Sequence, residues 1–159
     1  FDAETGIYTH QYFISRLEKE IQTTLFAENT LALVILDMDN YKEIINLYGI
    51  EAAHETLRQS AEELKSHIRG CDVLGSLGID EFILMMPSTT AQHAETVIGK
   101  FDARLKTIKF TDHELQTSFS CGITQLRDQT DDLDALIHRA QVALYNARKT
   151  ANRTICTEL

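Results

Sequence analysis

The chain is short of the features that would place it in several large classes. It has no run of about 18 apolar residues and no charged-then-apolar leader, so nothing in it reads as a membrane span or a secretory signal. Its three cysteines, Cys71, Cys121 and Cys156, are an odd number at wide spacing, which fits core thiols in a reducing cytosol better than a disulfide framework. The six histidines show no His-x-x-x-His spacing, which argues against zinc. Basic residues are outnumbered, 15 against 24 acidic, and the net charge of -9 argues against a surface built for nucleic-acid backbones. Internal repeats and low-complexity tracts are missing too. What remains is 159 residues with 43% hydrophobic content, enough for one core and a single domain over residues 1–159. The first residue is Phe1 rather than Met, so the expectation is a fragment of a longer protein with a sensor or anchor elsewhere.

Hydrophobic spacing divides the chain into helices and strands. Phe13, Leu17, Ile21 and Leu25 recur at every fourth position and predict a helix from after Thr9 to about Phe26. Leu31 to Leu36 is continuously apolar, as in a strand covered on both faces. A short helix over Asn40 to Leu47 precedes a longer one marked by Ala53, Leu57, Ala61, Leu64 and Ile68 and ended by Gly70. Two strands follow, Cys71 to Leu77 and Glu81 to Met86, joined through Gly78, Ile79 and Asp80 and closed by Pro87. Ala94, Ile98, Phe101, Leu105 and Ile108 predict another helix, and Leu115 to Ile123 alternates as a strand. Asp131-Asp132 opens a last helix with Leu133, Leu136, Ile137, Ala140, Leu144 and Ala147 facing inward, and Thr154 to Cys156 is an edge strand. The predicted fold class is an α/β (α+β) sandwich with a largely antiparallel central sheet flanked by helices.

Two of these strands carry acids at one end. Asp80 and Glu81 are adjacent in the turn Gly78-Ile79-Asp80-Glu81-Phe82, and Asp37 and Asp39 follow the apolar run Leu31 to Leu36. Mg²⁺ takes hard oxygen ligands and commonly shares one or two carboxylates with nucleotide phosphates, so the pattern points to a metal-assisted nucleotide site. Acids in turns are also ordinary solvated turn formers.

The order of motifs resembles the GGDEF domain of bacterial diguanylate cyclases. Asp2-Ala3-Glu4-Thr5-Gly6-Ile7 is similar to the family's Asp-x-Leu-Thr-Gly-Leu start, and Asp37-Met38-Asp39-Asn40-Tyr41-Lys42 to its Asp-x-Asp-x-Phe-Lys. Gly78 to Phe82 is similar to the hairpin that names the family, Ser120-Cys121-Gly122-Ile123 to its Ser-x-Gly strand, and Ala143-Leu144-Tyr145-Asn146-Ala147 to its Ala-Leu-Tyr-x-Ala helix. The resemblance spans essentially the whole chain and implies a nucleotidyl-cyclase-like palm. It implies that two GTP molecules held in two facing domains, a homodimer, condense to cyclic di-GMP and pyrophosphate. Asp37 and Asp80 would be ligands of Mg²⁺, Met38 would offer its backbone carbonyl, and Glu81 would assist the metal or the attacking 3′-hydroxyl. Lys42, Arg148 and Gly78 would hold the nucleotide.

The chain departs from that pattern where the base should sit. Ile79 replaces the hairpin's second Gly and puts a branched side chain where backbone should yield to nucleotide. The family's guanine-reading Asn falls on Ile45 and its Asp on His54, which supply neither an amide nor a paired acceptor. Ser76 replaces the usual Arg ahead of the hairpin, and a phosphate-binding Arg falls on Asn152, with Arg153 one position late. Arg69-Gly70-Cys71-Asp72 matches the spacing of the family's inhibitory site for cyclic di-GMP, with Lys100 as a further phosphate contact. Arg69 as a helix cap and Asp72 as a solvated residue ahead of a strand is the competing reading.

The expectation is therefore a degenerate GGDEF domain with little or no cyclase activity, in the cytoplasm, acting as a regulatory module or cyclic di-GMP receptor beside a sensor or EAL-type domain. An active diguanylate cyclase, and an interaction domain that binds no nucleotide, are the alternatives.

Overall fold

The computed structural model describes residues 6–150 and 155–159. Helix α1, His10–Phe26, starts where the Thr9 side chain accepts a hydrogen bond from the Tyr12 backbone N–H. Phe13, Leu17, Ile21 and Thr24 form its buried stripe, with Leu25 only partly covered. Strand β1, Leu31–Met38, is buried at all eight positions. Ala32, Val34 and Leu36 face one hydrophobic cluster, and Leu31, Leu33 and Ile35 the other. The continuous apolar run thus belongs to a central strand with helices on both sides.

Helices α2, Tyr41–Tyr48, and α3, Ile50–Lys65, meet at Gly49, whose φ of 95° turns the chain sharply between them. Helix α3 ends at Lys65, earlier than the Gly70 expected from its stripe. The Ser66 hydroxyl donates to Glu63 O and the Arg69 N–H is taken by Asp72, so the backbone leaves the helix while Ile68 still packs on the core. Strands β2, Val73–Gly78, and β3, Glu81–Pro87, form the expected hairpin, with a register shift between Ser76 and Gly78. Helix α4, Ala91–Leu105, is capped by Thr90 and starts and ends three residues before its predicted stripe.

Strand β4, Phe119–Gln125, starts later than the alternation at Leu115 suggested, because Leu115 is tied back to Phe110 in an isolated bridge. Helix α5, Leu133–Lys149, begins at Asp132, whose side chain accepts from the Ala135 N–H. Strand β5, Ile155–Thr157, is parallel to β4. The sheet order is β2-β3-β1-β4-β5, antiparallel except at β5. This bears out the predicted fold class. Helices α2, α3 and α4 cover one face and α1 and α5 the other. Where α5 crosses β4, a Cβ on Gly122 would lie 2.2 Å from Ala140 O, so only glycine allows that approach.

The cysteine reading needs correction: only Cys121 is a core thiol, whereas Cys71 is exposed and Cys156 half-buried, because both stand at the margin of the sheet. Among the described residues no helix is long and apolar enough to cross a membrane.

Candidate nucleotide and metal site

The antiparallel pairing of β1 with β3 brings the two acidic motifs together. Asp37 stands opposite Glu81 in the register, and the Met38 N–H donates to Asp80 O at 3.0 Å. On the other side of β1, the Asp39 N–H donates to Ser118 O at 3.0 Å. The end of β1 is therefore fixed from both neighbours, and Asp37, Met38, Asp80 and Glu81 share one sheet end.

Their side chains differ. Asp37 is 4% exposed; it forms an ion pair with Arg148 of α5 through Oδ2, while Oδ1 is buried with no hydrogen-bond partner. Glu81 is half-buried, and desolvation, followed by the charge on Asp80, pushes its carboxyl above the usual value of 4.5. Gly78 lies against the Glu81 carboxylate, 3.1 Å from where a Cβ would be. Lys42 is exposed on the first turn of α2 and has no ion pair among the described residues. Arg148, expected at phosphate, is brought directly to Asp37.

Asp39 is not a free acid: its two carboxylate oxygens accept from Ser120 and Ser118 hydroxyls, each at 2.6 Å. Asn40 repeats the arrangement, donating to Gln116 O at 2.9 Å and accepting from the Thr117 hydroxyl at 2.8 Å. Together they clamp the β1–α2 turn to the approach of β4. Sequence reasoning did not find this clamp. It also missed the Tyr41 hydroxyl, which is buried without a partner and whose acidity is suppressed by burial and then by the charge of Asp80. The one available signal was Tyr41 standing where the compared motif has Phe.

The chemistry of this donor set fits Mg²⁺. An orphaned carboxylate oxygen, a second acid across the turn and a fixed backbone are what a hard cation with retained waters requires. Among the described residues no group of three His, Cys, Asp or Glu side chains converges, so protein ligands to a cation would be few.

The residues expected to face the base from the motif comparison lie on α2, α3 and the hairpin tip. Ile45 is half-buried against the core, His54 is exposed, and Ile79 is 76% exposed. Leu47, Tyr48 and Ile50 add exposed apolar surface where α2 meets α3. Asn152 and Arg153, and the opening Asp2 to Thr5 motif, lie outside the described residues.

Arg69 and Asp72 do meet, but each is already engaged. Asp72 accepts from the Arg69 backbone N–H at 2.7 Å and from its guanidinium at 2.8 and 3.3 Å. The same guanidinium donates to Pro87 O and the Thr89 hydroxyl, both at 2.7 Å. The pair joins the end of α3 to the β3–α4 loop, and Asp72 is buried rather than solvated. Lys100 is exposed on α4 and makes no bond to either residue.

Comparison with known proteins agrees with this construction. The family model described as "Diguanylate cyclase, GGDEF domain" matches residues 1–154. The probable diguanylate cyclase DgcC of Escherichia coli is 28% identical over 155 residues, covering 96% of this chain and 42% of that protein. Diguanylate cyclase DgcP of Pseudomonas aeruginosa is 27% identical, covering 93% of this chain and 22% of its own length. The chain thus spans less than half of these relatives. Among solved structures, the isolated GGDEF domain of TpbB (YfiN) from P. aeruginosa superposes with a TM-score of 0.90 at 26% identity, covering 98% of this chain and 92% of that one. A match to residues 1–154, with the fold and the acidic hairpin in place, shows that this chain belongs to the diguanylate cyclase GGDEF domain family and so to cyclic di-GMP signalling.

Proposed function

We propose that the chain is a GGDEF domain that keeps the cation end of the site and lacks the guanine end, so that it turns over GTP weakly or not at all and serves as a regulatory module. The observation that carries this reading is the chemistry at three positions. Ile45, His54 and Ile79 present two aliphatic side chains and an imidazole where a base edge needs a matched donor–acceptor set. A site that cannot pair a base's polar edge loses discrimination by orders of magnitude. At the other end the carboxylates of Asp37 and Asp80 and the backbone carbonyl of Met38 would hold Mg²⁺, with Glu81 assisting the metal or the attacking hydroxyl, and the cation when bound would neutralise triphosphate charge. Lys42 and Arg148 add positive charge for phosphates.

A second reading, an active diguanylate cyclase that condenses two GTP molecules in a homodimer, is favoured by the names of the relatives and by the intact acidic pair. On the comparisons alone it is the better supported of the two. Purified protein incubated with GTP and Mg²⁺ separates them. No cyclic di-GMP above background supports the first reading; product formation that disappears in Asp80→Ala establishes the second.

A receptor role at Arg69, Asp72 and Lys100 belongs to the first reading and carries a structural condition. Cyclic di-GMP reaching Asp72 must replace three hydrogen bonds from Arg69, so binding there would loosen the α3–β2 turn. Calorimetry with cyclic di-GMP tests this: heat lost in Arg69→Ala supports it, and no heat, or heat unchanged in the variant, removes it. We place the domain in the cytosol, where GTP is available, with a sensor or EAL-type domain as its neighbour.

A further inference from the structure

Asp37 is buried, and its Oδ1 has no hydrogen-bond partner among the described residues although a buried hydroxyl stands beside it. Ser120 lies directly opposite Asp37 in the β1–β4 register and is 6% exposed. Residues opposite one another in an antiparallel pair share a face, with Cβ atoms roughly 5 Å apart, so a serine hydroxyl turned toward Asp37 would be within hydrogen-bond reach. The Ser120 hydroxyl is turned the other way, and donates to Oδ1 of Asp39 at 2.6 Å.

A serine hydroxyl has one proton to give, and when buried it normally gives it. By strand alternation Asp39 shares the face of Asp37, so the two carboxylates flank Ser120 and compete for that proton. Asp39 is fixed for the purpose. Its N–H donates to Ser118 O at 3.0 Å and the Ser118 hydroxyl donates to its Oδ2 at 2.6 Å, which leaves Oδ1 for Ser120. Arg148 reaches Asp37 from α5 through Oδ2. The open state of Asp37 Oδ1 therefore follows from where the serine proton goes. A carboxylate oxygen without a donor keeps its lone pairs for a hard cation, whereas a serine proton on the same oxygen must be displaced first.

We propose that Asp39 is a positioning residue for the cation seat: by taking the Ser120 proton it keeps Asp37 open as a ligand. The inference rests on the cation end of the reading above and is independent of guanine selection and of whether GTP is turned over. Removing Asp39 hands the serine proton to Asp37, and removing the serine as well takes that proton away again. The second substitution should therefore repair the first, which the loss of two purely structural bonds would not do.

The test is titration of the nucleotide-free chain with Mn²⁺, the free ion read by electron paramagnetic resonance. The parent should bind one ion and Asp37→Asn should not. Asp39→Ala should bind about tenfold more weakly, the effect of one hydrogen bond to a charged group. Asp39→Ala combined with Ser120→Ala should return to within about threefold of the parent, the remainder being the lost charge of Asp39. Any damage from losing the Asp39 bonds is common to these two proteins, so the comparison between them reads the serine alone. A double variant no tighter than Asp39→Ala, or an Asp39→Ala protein that binds like the parent, overturns the role of Asp39 and leaves the seat standing. Ser120→Ala alone should bind like the parent; a clear loss there makes the hydroxyl a support of the seat and overturns the inference even if Asp39→Ala does not fold. No ion on the parent, or undiminished binding in Asp37→Asn, removes the seat and the inference together, whatever the assay with GTP shows.

Discussion

Helix α5 carries an arginine to a buried aspartate twice, and the two pairs are built to different ends. Near its start, Arg139 meets Asp131 with both terminal guanidinium nitrogens, at 3.0 and 2.6 Å, and donates further to the Thr124 hydroxyl and Gln125 O. Asp131 takes further bonds from the Arg127 and Asp132 N–H groups, so each of its oxygens accepts twice and none is left open. Near its end, Arg148 is half exposed and meets Asp37, whose other oxygen has no partner. A closed pair is a staple between α5 and the loop after β4. An open one leaves charge and lone pairs for something else, and it lies at the acidic hairpin.

The largest expected effect separates the pairs by stability. Asp131→Ala strands a buried guanidinium and should cost about 3–5 kcal/mol in urea unfolding. Asp37→Ala removes an orphaned acceptor and frees an arginine that water already reaches, so it should stay within about 1 kcal/mol of the parent. Equal losses would break the comparison.

Acid should act on the closed pair next. Burial alone would raise the Asp131 carboxyl, but the hydrogen bonds from Arg139 and the Arg127 N–H outweigh it and hold it below the usual 3.8. Its contribution is complete above 3.8 and is lost as pH falls through the lower folded value. Urea midpoints measured from neutral pH into that range should fall for the parent and fall less for Asp131→Asn; parallel curves would contradict the assignment. The smallest effect is at the open pair. Arg148→Ala, by freeing Asp37, should tighten Mn²⁺ binding roughly twofold to fivefold, the size of one half-exposed ion pair. Weaker binding in that variant would mean that Arg148 orients the carboxylate instead of competing for it.

The difference between the pairs also marks where the sequence could be read. Strand β1 was legible because the six apolar residues Leu31 to Leu36 run without a break between polar residues, too short for a buried helix. The acids were legible because Asp37, Asp80 and Glu81 are next to the strands that position them. The end of α3 was not: Ile68 continues the helical stripe, yet it reaches the core from a turn that Asp72 holds open. The start of β4 was misplaced for a similar reason, since Leu115 and Thr117 are buried from a looped backbone. The clamp on Asp39 joins residues 79 and 81 positions away, and no local pattern announces such a partner. Arg69 and Asp72 show the converse. Their spacing suggested a ligand site, and the folded chain spends most of their bonding capacity on itself.

The central claim is that this domain holds a cation and triphosphate without selecting guanine, and paired calorimetric titrations with GTP and ATP in Mg²⁺ test it most directly. Weak binding of both nucleotides, with affinities differing by less than about tenfold, is the expected result if, as proposed, Ile45, His54 and Ile79 face the base. GTP bound a hundredfold or more tightly than ATP, on the order of what matched polar groups provide, would contradict it.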